Sequence, residues 1–301
     1  GNAGTMQSAE DLGLNVSGSI TNTNGAKILA ADRISITGTG GGTLAIDNRA
    51  GGVIQAAGLL EIQSAGGGNN VTATQAGTLY GGTLNARLAS LNNTGNIQAG
   101  SGGATFNVTG ALASSGNLIS NATLGATAGS INNTGGLQSA HDASITTGTL
   151  DNTGTLIGGT DSSRASTITA STINNSGTIQ GAGNLTLLAS TRINNGGTGK
   201  LVAGNSMGIY GTSGALILDN YAGGVIQAGV GLTIAGGSGG WVWAGNQAGL
   251  IYADVINASL DHLGIQQGQL YPGADDDASG ITVVPTSGEP VPPSSSTPEP
   301  A

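Results

Sequence analysis

Ile173-Asn174-Asn175-Ser176-Gly177-Thr178-Ile179-Gln180-Gly181 is one copy of a phrase written many times along the chain. Its form is an aliphatic residue, Asp or Asn, Asn, one to three small or polar residues, Gly, an aliphatic residue, often Gln, then Ala, Gly or Ser. The phrase returns as Ile46-Asp47-Asn48 through Ile54-Gln55-Ala56 and as Leu91-Asn92-Asn93-Thr94-Gly95-Asn96-Ile97-Gln98-Ala99. Further copies begin at Ile131, Leu150, Ile193 and Leu218, with degenerate ones at Ile20-Thr21-Asn22 and Leu112-Ala113-Ser114. Taking the second polar position as a marker gives Asn22, Asn48, Gln75, Asn93, Ser114, Asn133, Asn152, Asn175, Asn195, Asn220 and Gln247. The intervals average about 22 residues, too short for a globular domain and right for one coil of a wound structure.

Composition agrees with a wound structure. Of 301 residues only 3% are aromatic and 8% charged, so the bulky side chains that fill a rounded core are missing. Hydrophobic residues make up 37% and recur at a regular period, which argues for order in spite of 57 Gly. The formal charge of −9 includes only seven Lys and Arg, so a nucleic-acid partner is not expected. Cysteine is absent, which alone says nothing of compartment. No apolar run approaches a membrane span, and the start Gly1-Asn2-Ala3-Gly4 is neither an initiator methionine nor a signal peptide. The sequence reads as a piece of something longer.

Alternation in Leu12-Gly13-Leu14-Asn15-Val16 and Ile34-Ser35-Ile36 signals short strands bounded by Gly and Asn, and no stretch keeps helical apolar spacing. The expected fold is all-β: a solenoid of about 12 coils, roughly 22 residues each, with equivalent strands stacked in parallel about 4.8 Å apart. One such coil buries too few side chains to fold alone, so the coils must come in number. Asn48, Asn93, Asn133, Asn152, Asn175, Asn195 and Asn220 are expected to form a ladder of side-chain amides at a corner. The Gly that follows supplies either a positive φ or a close backbone approach. Asp47, Asp151 and Asp219, one position before the marker, are expected to face solvent.

A longer symmetry overlies the period. Residues 43–86 align without a gap to 215–258, so that Asp47-Asn48 meets Asp219-Asn220, Ala50 to Ala56 meets Ala222 to Ala228, and Tyr80 meets Tyr252. Residues 1–270 are therefore expected to be a repeat shaft containing two related blocks, and 271–284 its end or a capping strand. Residues 285–301, rich in Pro and Ser, are expected to be a disordered linker.

Candidate chemistry is thin. Wound β-folds that act on polysaccharides need paired carboxylates or a metal on neighbouring coils, whereas the acids here are spread one to a coil. The best cluster, Asp254, Asp261 and His262, reads as surface, and so does the pair His141-Asp142. Asp275, Asp276 and Asp277 are weak calcium candidates, lacking alternating Asp spacing and a nearby Glu. No catalytic residue, metal site or cofactor is expected. Trp241 and Trp243 are the ligand-binding candidates: at i, i+2 they share one side of a strand, and the ungapped alignment sets them opposite Asn69 and Val71. Packing into a bulged coil is weighed ahead of a sugar- or protein-binding platform, and Tyr80 and Tyr252 are expected to be structural.

The phrase aliphatic-Asp/Asn-Asn-x-Gly-x-Ile-Gln-Ala at this period resembles the filamentous haemagglutinin repeats of bacterial two-partner secretion exoproteins. The copies cover roughly residues 15–260. The resemblance implies a right-handed parallel β-helix, export through an outer-membrane transporter, and display on the bacterial cell surface as part of a secreted filament. It implies no enzymatic activity, and the expected partners are host or bacterial surface glycans or a protein receptor. Such a chain would be the shaft and adhesive segment of a surface filament. The alternative is the stalk or receptor-binding part of a contact-dependent growth-inhibition exoprotein, and a β-helical polysaccharide-degrading enzyme ranks below both.

Overall fold

A computed structural model describes residues 1–238 and 240–260, together with the backbone of three later strands, His262–Ile265, Gln269–Pro272 and Ile281–Val284. The chain is a parallel β-solenoid of about 11 turns, roughly 22 residues per turn. Among the described residues the only helical turn is the 3-10 segment Ala65–Gly67.

Each coil contributes strand segments to three columns. In the coil that carries the opening phrase, Ala165–Asn175 runs along the third column and bends into the ladder column, where Thr172–Asn175 lie. A two-residue corner follows, then Thr178–Gly181 in the second column. Asn184–Asn195 repeats the sequence one coil on, pairing Ile173 with Ile193 and Asn175 with Asn195. All the interstrand pairings between named strands are parallel and follow this plan; Asn96–Ser114 turns through all three columns as one continuous strand. The segments Gln269–Pro272 and Ile281–Val284 pair with Leu250–Ala253 and Val255–Ser259, extending the second and third columns.

Period-two alternation places every second side chain inside. Ile173, Ile179, Leu185, Leu187 and Ala189 are all completely buried, and so is Ile193, the equivalent of Ile173 one coil on. Like stacks on like: Leu150, Ile173, Ile193 and Leu218 form one aliphatic pile, and Leu156, Ile179, Leu201 and Ile226 another. Each such side chain contributes about 1.5–3 kcal/mol by leaving water. Among the described residues Phe106 is the largest fully buried side chain, and β-branched and Leu side chains, not aromatics, fill the interior.

The corners explain the glycine of the phrase. Gly77, Gly95, Gly116, Gly135, Gly154 and Gly177 stack above one another, and none has a positive φ. A Cβ on Gly177 would lie 2.0 Å from the carbonyl oxygen of Gly154, and one on Gly154 would lie 2.2 Å from that of Gly135. Close backbone approach is thus the reason for glycine at the short corners. Positive φ belongs instead to the four-residue corners, at Gly25, Gly51, Gly197 and Gly223.

Candidate functional site

The ladder asparagines lie inside the corner. Asn133, Asn152, Asn175, Asn195 and Asn220 form an unbroken run in which each Nδ2 donates to the next Oδ1 at 2.7–2.8 Å. Each Nδ2 also donates to a main-chain carbonyl of the following coil, as Asn175 does to Lys200 O at 3.1 Å. A second run climbs from Asn2 through Asn22 and Asn48 to Gln75 at 2.8–2.9 Å. Asn93 stands between the runs and donates to Ser114 Oγ at 3.1 Å. From Asn22 upward these groups are buried, and their amides hold coil to coil; they offer nothing to a ligand.

The outward side of the same strands is different. One residue before each ladder position, Asn132, Asp151, Asn174 and Asn194 form an outer row, and Thr134, Thr153, Ser176 and Gly196 line the corner opposite. Between them runs a groove of about 580 Å³, closed at its upper end by Tyr221. Asn174 Nδ2 donates to Asp151 Oδ1 and Asn194 Nδ2 to Asn174 Oδ1, both at 2.7 Å. The Oδ1 of Asn194 is buried and has no hydrogen-bond donor.

Asp219 continues this row, but it is only 3% exposed, so the expectation of a solvent-facing carboxylate fails there. It is covered by the longer corner beginning at Tyr221 and by Arg192: the Tyr221 hydroxyl donates to Asp219 Oδ2 at 3.4 Å, and Arg192 Nη1 lies 3.7 Å away. The tyrosine ring lies against Gly196, whose missing Cβ would sit 3.1 Å from Tyr221 Cδ2. Glycine at the preceding corner makes room for the ring. Asp47 and Asp151 remain partly or fully exposed.

Trp241 and Trp243 lie one coil further on. Both are exposed, 42% and 45%, with ring centroids 6.3 Å apart in an edge-to-face arrangement. The expected packing into the coil does not occur, because the ungapped alignment misplaces them by one residue. Leu44 pairs with Val71 and its counterpart Leu216 pairs with Val242, so Val242, fully buried, takes the inward place of Val71. A bulge between Ala244 and Gln247 restores the register at the ladder position. Trp241 and Trp243 therefore correspond to Asn70 and Thr72 and point outward, with Trp243 beside Ile217.

Asp254 is exposed, while Asp261 and the side chain of His262 lie outside the described residues, as do Asp275, Asp276, Asp277 and 285–301. Asp142 Oδ1 caps a neighbouring turn by accepting from Ala165 N at 2.9 Å. Among the described residues no group of three or more acidic or His side chains is placed to hold a metal, and no helix is long and apolar enough to cross a membrane. Tyr80 and Tyr252 pair with Gln55 and Gln227 at equivalent places in the two blocks. The groove and Tyr221 went unnoticed in the sequence; the signal was present in the row Asn132, Asp151, Asn174, Asn194, in which the phrase keeps an amide or acid at an outward position.

Fold and site together define a β-solenoid protein whose outer face carries a polar groove with an aromatic end. No family model, characterised protein or solved structure matches the chain.

Proposed function

We propose that the chain is a structural and adhesive segment of the shaft of a large secreted bacterial surface filament, of the filamentous haemagglutinin-repeat kind delivered by two-partner secretion. The observation that carries this reading is the unbroken coil-to-coil pairing of three columns around a continuous aliphatic interior. Such pairing makes a stiff rod about 50 Å long from about 11 turns at about 4.8 Å each. A rod that grows by adding coils supplies reach without needing a globular core, and its exposed face is free to carry contacts. Export through an outer-membrane transporter fits a chain whose single coils are unstable alone and fold by stacking.

Beads coated with the purified chain test the adhesive part. Attachment to host or bacterial cells above the level of beads coated with a heat-unfolded chain is expected; equal retention of both would overturn it. The stalk or receptor-binding part of a contact-dependent growth-inhibition exoprotein is the second reading, favoured by the aromatic residues concentrated near one end. On that reading the free chain would protect target bacteria by competing with inhibitor-bearing cells for a receptor.

A further inference from the structure

The two related blocks provide an internal comparison of outer faces. Their interiors match: Leu44, Ile46 and Ile54 in the first are as buried as Leu216, Leu218 and Ile226 in the second. The second block differs by three added aromatic residues, and all lie on the ladder side. Tyr221 stands where the first block has Arg49, and, in the observed register, Trp241 and Trp243 stand where it has Asn70 and Thr72. They occur in adjoining coils: Tyr221 lines the upper end of the polar groove, and Trp243 pairs with Ile217, two residues before Asp219 of the outer row.

We propose that this face binds an extended, uncharged glycan chain, lying along the groove over Asp151, Asn174 and Asn194 and ending against Tyr221, Trp243 and Trp241. This assignment rests on the adhesive reading above and names the ligand class. Pyranose rings present an apolar C–H face and a rim of hydroxyls. Exposed indole and phenol faces accept the first; planar amides, which donate and accept, and a carboxylate, which accepts, suit the second. The polar row repeats at the coil spacing of about 4.8 Å, so it offers equivalent contacts to a polymer of repeating polar units.

Charge and shape favour a glycan over other partners. Among the described residues lining the groove only Asp151 is charged at neutral pH, and Arg192 faces Asp219, so a phosphate chain would find little to bind. A protein interface needs about 1,000 Å² or more of complementary surface; a polar groove one strand wide with a short aromatic end suits a slender chain. The site is also built: Tyr221 is seated on Gly196 and hydrogen-bonded to the buried carboxylate of Asp219.

The test uses the full chain on an immobilised series of neutral oligosaccharides of two to eight units. Binding that strengthens with length, falls about tenfold or more in Trp241→Ala/Trp243→Ala, and weakens in Asn174→Ala is expected. Thr105→Ala, an exposed third-column residue, is expected to bind as wild type, and circular dichroism checks that each variant is folded. If the chain-coated beads attach to cells but no oligosaccharide binds, the glycan assignment is overturned while the adhesive reading stands. Attachment that survives glycosidase treatment of the cells yet disappears in the tryptophan variant marks a protein-docking face and also overturns it. Absence of attachment to any cell overturns the adhesive reading itself, separately from the oligosaccharide result.

Discussion

Ser114 stands directly beneath Asn133 in the ladder yet gives its hydroxyl proton to Gly116 O at 3.2 Å, leaving Asn133 Oδ1 buried and without a donor. The serine accepts from Asn93 below but is too short to reach the coil above. Ser114→Asn would restore the amide, joining Asn93 to the run from Asn133 to Asn220. A buried acceptor without a partner costs about 1–3 kcal/mol, so the substitution is expected to stabilise the chain by about 1 kcal/mol after the lost Gly116 contact. A higher midpoint in urea at an unchanged slope would show it; an unchanged or lower midpoint would refute it.

Asn175 and Asn174 are adjacent and chemically identical, yet their substitutions should differ sharply. Asn175 accepts from Asn152 and donates to Asn195, Lys200 O and Gly177 O within the buried corner. Asn175→Ala strands these groups away from water and is expected to cost about 3 kcal/mol. Asn174 lies on the outer row, where solvent replaces what is lost, and Asn174→Ala should stay within about 0.5 kcal/mol. Equal losses in chemical denaturation would refute the division into an inner ladder and an outer row.

What could be read from the sequence follows from what periodicity encodes. The spacing of Asn48, Asn133, Asn175 and their equivalents states that these residues stack, because only repetition at the coil period puts identical side chains in register. Periodicity is silent on local departures. The bulge after Ala244 adds one residue and turns both tryptophans outward, and an ungapped alignment cannot register it because the ladder position is regained at Gln247. Asp219 repeats the chemistry of Asp151 but is buried, since Tyr221, at the start of the longer corner, and Arg192, from the coil below, close over it. The groove is likewise a product of neighbouring coils, its walls coming from residues some twenty apart in sequence.

Asp161 gives a pH prediction. Its carboxylate accepts from the Ser163 hydroxyl and from Ser163 N, with Arg164 alongside, and these contacts hold its pKa below the ordinary 3.8. A depressed folded value means that the stabilisation is present in full above the unfolded pKa and is lost as pH falls through the folded one. Carboxyl titration by NMR should place the Asp161 midpoint below 3.8, and Ser163→Ala should move it upward. The stability difference between the two proteins should shrink as the pH is lowered through that range; a difference independent of pH would contradict it.

Gly154 and Gly13 separate the two costs of adding a methyl group. A Cβ on Gly154 would lie 2.2 Å from Gly135 O, and this oxygen is fixed because it accepts from Thr155 N at 2.8 Å. Backbone cannot move aside as a side-chain tip can, so Gly154→Ala must lift one coil from the next at the corner. That strain is expected to cost at least about 2 kcal/mol. It should also weaken the amide contact between Asn133 and Asn152, visible as faster hydrogen exchange of the Asn133 side chain. Gly13 is an exposed position of the strand Leu12–Val16, with ordinary backbone angles and nothing within 4 Å of a new Cβ. Gly13→Ala should be neutral or stabilising by up to about 1 kcal/mol, since it only narrows the freedom of the unfolded chain. If the two substitutions had similar effects on the denaturation midpoint, the corner glycines would owe their place to something other than close stacking.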